Sequence, residues 1–171
     1  LFISTTGKLS RELYELRVNS GRDNDDFYVV GGMGHASAIA TGILHEIEDK
    51  KIVCLDGDGS ILMHMGHLSL VAKEHYKNFI HIVFNNSAHE SVGGQPNNYD
   101  ILDRNKLFEA LGYKENIFIK NISEIENYDF KNLVGPVYIE IEVENSSSKN
   151  LMRPDKPPVV NKESFVKKIH E

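Results

Sequence analysis

Cysteine is almost missing from this chain: Cys54 stands alone among 171 residues. No disulfide can form within the chain, which fits a reducing compartment. Cys54 sits inside an apolar strand-like run, where a small buried thiol is expected. A basic excess is missing too. The formal net charge is -6, with Lys and Arg scattered, and this argues against nucleic acid as a main partner, which calls for a basic face. No apolar run approaches the roughly 20 residues that cross a bilayer. No signal-peptide pattern opens the chain, so no membrane partner and a cytoplasmic location are expected. A Walker loop, a GxGxxG fingerprint and an HExxH pair are all absent. Those absences exclude the common nucleotide, dinucleotide and zinc-site signatures. Internal repeats are lacking as well.

What is present suffices for one domain with a real core, since 40% of the residues are hydrophobic. The chain begins at Leu1, already in an apolar strand-like run, so a piece of a longer protein or a processed subunit is expected. Strand and helix patterns then alternate. Leu1-Phe2-Ile3 reads as a strand, and Leu9, Leu13 and Leu16 recur at helical spacing after Thr5 or Thr6 as N-cap. Residues 19–26 form a polar loop. Phe27-Tyr28-Val29-Val30 is a strand, and Ala36, Ile39, Ala40, Ile43, Leu44 and Ile47 mark one helix face. Apolar runs at 52–55 and 79–84 flank a helical stretch with Leu68, Val71 and Ala72 facing inward. Farther on, Asp103 caps a helix that stops at Gly112. Residues 117–119 form a strand, and 123–126 carry a capping box. Residues 137–143 alternate between apolar and acidic, which predicts a place near a sheet edge. Residues 145–160 read as an extended tail and 161–171 as a terminal helix. The whole predicts an α/β fold, a three-layer sandwich with a mostly parallel sheet.

Two buried parallel strands joined by a helix bring Asp58 and Asn86 to the same carboxyl edge, where ligands of open α/β sheets bind. Asp58 stands in Gly57-Asp58-Gly59-Ser60. Its small neighbours leave the carboxylate and the N–H groups of Gly59 and Ser60 open, at a helix start that favours an anion. Asn86 offers an amide oxygen, and the backbone carbonyl of Ala88 a third ligand. Such a donor set suits Mg²⁺, which prefers six oxygens and keeps phosphate oxygens and water among them. A diphosphate held through a metal is the expected ligand. The cluster Gly31-Gly32-Met33-Gly34 lets backbone approach something flat, and Met33 suits packing against a ring. The polar loop at 87–98 is too long for a simple turn. Its His89 and Glu90 are candidates for proton handling, and Ser91 and Gln95 for binding an anionic group. His64, His67, His75 and His81 read as structural.

The order GDG, residues 60–84, then NN, each motif after a strand, is the signature of thiamine diphosphate enzymes. Further stretches match: Thr5-Thr6-Gly7-Lys8, Gly31-Gly32-Met33-Gly34-His35-Ala36-Ser37, His64-Met65-Gly66 and residues 85–96. With them, roughly the first two-thirds of the chain resembles the phosphonopyruvate decarboxylase family, of which sulfopyruvate decarboxylase is a close relative. The resemblance implies a thiamine-diphosphate-binding fold, with residues 1–171 as the C-terminal, diphosphate-binding domain. It implies Mg²⁺ on Asp58, Asn86 and the Ala88 carbonyl. The diphosphate would lie on Gly57, Gly59 and Ser60, with Thr6 and Lys8 as further contacts. Met33 would bend the cofactor, and the Gly31 carbonyl would accept from its 4′-amino group. The implied activity is decarboxylation of a small 2-oxo acid, 3-phosphonopyruvate first, in a homo-oligomer. A pyrimidine-binding domain, for which these residues hold no candidate, would bring the activating glutamate. Two other readings stand beside this one: an assembly module that keeps the fold without cofactor, and another nucleotide- or flavin-binding α/β domain.

Overall fold

Apolar runs too short for helices become strands, and the 3.6-periodic stretches between them become the helices that cover the sheet. In chain order these are β1 (Phe2–Ser4), α1 (Lys8–Asn19), β2 (Phe27–Tyr28), α2 (Ala36–Glu46), β3 (Ile52–Gly57), α3 (Asp58–His64), α4 (Ser69–Glu74) and β4 (Phe79–Asn85). A short hairpin follows, β5 (Ala88–His89) with β6 (Gln95–Pro96), and then α5 (Arg104–Ala110), β7 (Glu115–Ile119), α6 (Ile122–Glu126), β8 (Val137–Glu142) and α7 (Pro158–Ile169). This computed structural model describes residues 1–22, 26–126, 128–148 and 150–171. Part of the expected loop at 19–26, and one position of the tail, lie outside the described residues.

Six strands form one sheet in the order β2-β1-β3-β4-β8-β7. Every pair in it is parallel. The sheet is covered on both faces, as parallel sheets require. On one face Ala36, Ala40 and Leu44 of α2, Val71 of α4, Phe108 of α5 and Phe165 of α7 pack with Ile3, Cys54, Val83 and Tyr138 of the strands. On the other face Leu13 and Tyr14 of α1 pack with Tyr28 and Leu55, and Ile125 of α6 packs near Ile80 and Ile139. Full burial of each such side chain contributes on the order of 2 kcal/mol. The predicted three-layer α/β sandwich is the observed one. The chain leaves β1 for β2 on one side and later takes up β3 on the other. That reversal opens a crevice beyond the carboxyl ends of β1 and β3.

Several local expectations change. Neither Thr5 nor Thr6 caps α1; Gly7 precedes the helix at φ 105°, with no side-chain cap. The two hydroxyls bond elsewhere, to Ser60 and to the Gly31 N–H. Leu16 is 63% exposed, and Tyr14 takes the buried place on α1. The second strand ends at Tyr28, and Val30 is exposed. The central helical stretch is split by a 3₁₀ turn at Met65–Leu68. The helix α6 begins at Ile122, and it is Glu124 that accepts, from the Lys120 N–H and the Asn121 side-chain amide. The strand β8 lies inside the sheet, with β7 at the edge. Its acidic residue Glu140 is buried, because Tyr138 and Asn85 donate hydrogen bonds to it and the Arg104 guanidinium, with Nε 2.9 Å away, pairs with its charge. The terminal helix begins at Pro158, three residues before 161.

Candidate functional site

A cavity of about 260 Å³ lies at the carboxyl edge, at the reversal of strand order. Three turns wall it. Thr5, Thr6 and Lys8 come from the turn after β1, Gly57, Asp58, Gly59 and Ser60 from that after β3, and Asn86, Ala88, His89, Glu90 and Ser91 from that after β4. Met33 reaches in from the turn before α2. The structure thus gathers all of the expected site residues except Gly31 and Gln95. Gly31 stands outside the lining and is tied to it by its N–H, which donates to Thr6 Oγ1 at 3.2 Å. Gln95 and His35 do not line the cavity; the His35 ring packs on His64, with centroids 4.3 Å apart.

Asp58 is buried, and both of its oxygens are engaged. Oδ1 accepts the Gly59 N–H at 2.8 Å, and Oδ2 accepts from Asn97 Nδ2 at 2.8 Å. The Gly59 N–H is therefore not free, contrary to the expectation. The amide oxygen of Asn86 accepts the Ala88 N–H at 3.1 Å, which folds the turn so that Ala88 lines the cavity. Ser60 is buried, accepts the Gly34 N–H at 2.9 Å and shares a hydrogen bond of 2.9 Å with Thr5 Oγ1. It locks three turns together. Gly59 has no room for a side chain, because a Cβ there would lie 2.7 Å from His89 Nδ1.

The cavity is electrically one-sided. Glu12, Asp58, Glu90 and Glu144 line it, against Lys8 as the one lysine or arginine among the described lining residues. Lys8 Nζ is held by Glu90 Oε1 at 2.6 Å. Burial, and then the neighbouring Glu90, push the Glu12 carboxyl above its ordinary range. Such a field gathers cations. A carboxylate, an amide oxygen and a backbone carbonyl on residues lining one cavity are hard donors of the kind Mg²⁺ takes, so the residues present fit the expected ion.

A second group of metal-type side chains lies elsewhere. Cys54, Asp56 and His81 are buried, their ligand atoms within 4.8 Å of one another. They are outside the cavity. Asp56 accepts the Gly57 N–H and the Ser37 hydroxyl, and His81 Nδ1 meets Tyr113 OH at 2.7 Å. Burial, then Asp56, push the Cys54 thiol well up, whereas a metal takes the thiolate. We read this group as a polar brace beneath the Asp56–Ser60 turn.

Residues 5–141 match the family of thiamine pyrophosphate enzymes, in the part described as their C-terminal TPP binding domain. The chain belongs to this family. It is 35% identical to phosphonopyruvate decarboxylase of Streptomyces viridochromogenes over 91% of its own length and 38% of that protein's. It is 33% identical to sulfopyruvate decarboxylase subunit beta of Methanocaldococcus jannaschii, over 99% of this chain and 88% of that subunit. The chain thus spans well under half of the Streptomyces relative and most of the archaeal subunit. A solved structure from Mycobacterium smegmatis, assigned to the thiamin diphosphate-dependent enzymes, superposes with a TM-score of 0.50 at 18% identity, over 70% of this chain and 24% of the other. That likeness shows the fold. As a member of the thiamine pyrophosphate enzymes, the chain has its binding-domain match spanning the cavity residues from Thr5 to Ser91.

Sequence reasoning passed over Asn97, Glu12 and Glu144. Asn97 had one signal, its place after Pro96 in a turn-forming stretch. Glu12 lies one helical turn from Lys8 on α1. Glu144 follows β8 and falls between the predicted strand at 137–143 and the predicted tail at 145–160.

Proposed function

We propose that this chain is the cofactor-binding part of a thiamine-diphosphate-dependent 2-oxo acid decarboxylase, acting first on 3-phosphonopyruvate to give phosphonoacetaldehyde and carbon dioxide. One observation carries the reading: a single cavity joins Asp58, Asn86 and Ala88 to Gly59, Ser60 and Met33. Asp58, the Asn86 amide oxygen and the Ala88 carbonyl would hold Mg²⁺. Gly57, Gly59 and Ser60 would receive the diphosphate, helped by Thr6 and Lys8. Met33 would prop the rings, and the Gly31 carbonyl would accept from the amino group of the pyrimidine. When bound, thiamine diphosphate supplies the electron sink that lets carbon dioxide leave.

The chain's own residues bind, orient and manage protons. His89, whose ring lies against Gly59, would give a proton to the product. Glu90, whose Oε1 is 2.6 Å from Lys8 Nζ, would accept one. Ser91, which lines the same wall, would hydrogen-bond the substrate's acidic group. The activating glutamate would come from a pyrimidine-binding domain, fused or separate, within a homo-oligomer in the cytoplasm. The relative named subunit beta, of which the chain covers 88%, supports a separate partner. The same relative favours a second reading, a sulfopyruvate decarboxylase subunit.

The test is carbon dioxide release by the assembled enzyme with thiamine diphosphate and Mg²⁺. Turnover of 3-phosphonopyruvate is expected; turnover of sulfopyruvate alone would move the assignment to the second reading. The chain without its partner is expected to release none. Asp58→Ala should abolish Mg²⁺-dependent cofactor binding, read by thermal shift, and undiminished binding would refute the site.

A further inference from the structure

We infer that Asn97 is a positioning residue for the metal: it aims the Asp58 carboxylate from the far end of the hairpin that also presents Ala88, His89 and Glu90. The inference rests on the proposed Mg²⁺ role of Asp58. Asn97 is fixed by three bonds. Its N–H donates to the Ser87 carbonyl at 2.9 Å, its Oδ1 accepts the Tyr99 N–H at 3.0 Å, and its Nδ2 donates to Asp58 Oδ2 at 2.8 Å. The Tyr99 N–H has only hydrogen to offer, so the amide oxygen must face it, and the NH₂ group then faces Asp58. Tyr99 is itself fully buried, with its hydroxyl 2.8 Å from Tyr138 OH. The base on which Asn97 stands is therefore part of the core.

Asp58 is gripped at one oxygen by Gly59 and at the other by Asn97, so the plane of its carboxylate is set. Each oxygen keeps a further lone pair for a cation. Mg²⁺ demands near-ideal octahedral geometry, whereas Ca²⁺ accepts flexible geometry and longer bonds. A group that sets the angle of a ligand therefore matters more for Mg²⁺. The arrangement also closes a loop on itself. Residues 87–97 leave the metal side at Asn86 and Ala88, fold into the β5–β6 hairpin, and return to grip Asp58. The loop with the proton-handling candidates and the metal's carboxylate form one mechanical unit.

Two variants of the assembled enzyme separate the roles. Asn97→Ala removes every side-chain bond. Asn97→Ser keeps a short acceptor for the Tyr99 N–H but cannot reach Asp58. The measurement is the concentration of Mg²⁺, and separately of Ca²⁺, that half-saturates thiamine diphosphate binding by titration calorimetry. Both variants should raise the Mg²⁺ value by about 10–100-fold, the usual cost of losing an outer partner of a metal ligand, while the Ca²⁺ value moves by less than about threefold. A wild-type Mg²⁺ value in Asn97→Ser would show a turn-forming role only and overturn the inference. Equal weakening for both ions would overturn it too, since that marks general loss of loop packing. If Asp58→Ala still requires Mg²⁺ as the wild type does, the metal site itself falls, and the role of Asn97 with it.

Discussion

His67 donates from Nδ1 to the His64 carbonyl at 2.5 Å, and its Nε2 lies 2.8 Å from Ser37 Oγ. Burial is the chief cause that lowers the imidazole pKa from 6.5. The folded state thus takes up a proton less readily than the unfolded chain. The stability from the neutral ring is fully present above pH 6.5 and is lost as pH falls through the lowered folded value. Wild-type protein should therefore lose more melting temperature than His67→Gln between about pH 7.5 and about pH 5. Equal losses in paired melting curves would contradict the assignment. The residue scale is also where the sequence was most legible at the site. Asp58, Asn86 and Ala88 each follow a long apolar strand, and the strand fixes where its turn must lie. Asn97 had no such marker, because its partner Asp58 is 39 positions away and an amide in a loop has no period.

Among the elements, β8 shows how alternation can mislead. Every second residue is apolar, which suggested one wet face near an edge. The acidic position Glu140 is instead covered, and it depends on Arg104 at the start of α5 and Asn85 at the end of β4. No periodicity within 137–143 records those partners. Removing the cation should strand a buried charge. Arg104→Ala is expected to cost roughly 2–3 kcal/mol, reduced from the fully buried case because Arg104 is partly exposed. The exposed pair Lys106–Asp103 serves as control, and Lys106→Ala should change urea midpoints little. The opposite error occurred at α7. Its prolines read as an extended tail, yet Pro158 occupies the first turn of the helix, where no N–H is needed. The face of α2 was legible because six apolar positions repeat at one period, and the core confirms them. The split after α3 was not, because His64-Met65-Gly66 continues the helical pattern while the backbone tightens.

For the molecule as a whole, the net charge of -6 understates the local field, since among the described residues four carboxylates and one lysine line the cavity. An incoming diphosphate meets repulsion unless a cation comes with it. Thiamine diphosphate alone should shift the melting temperature of the assembled protein little. With Mg²⁺, and cofactor at about 100 times its dissociation constant, the stabilisation should approach about 2.7 kcal/mol. Equal shifts with and without the ion would mean that Lys8 and backbone groups suffice. Among the described residues no helix is long and apolar enough to cross a membrane.

The place of β8 between β4 and β7 also sets an order of events during synthesis. The ribosome completes β7 first, yet β7 pairs with β8 and not with β4. Until β8 emerges and threads between them, β7 has no seat in the sheet, and β4 presents an open edge that another chain can pair with. At synthesis rates of about 5–20 residues per second, that exposure lasts on the order of seconds. A message cut short anywhere between the two strands would make the exposure permanent, and its product would carry nearly every cavity residue on a sheet that cannot close.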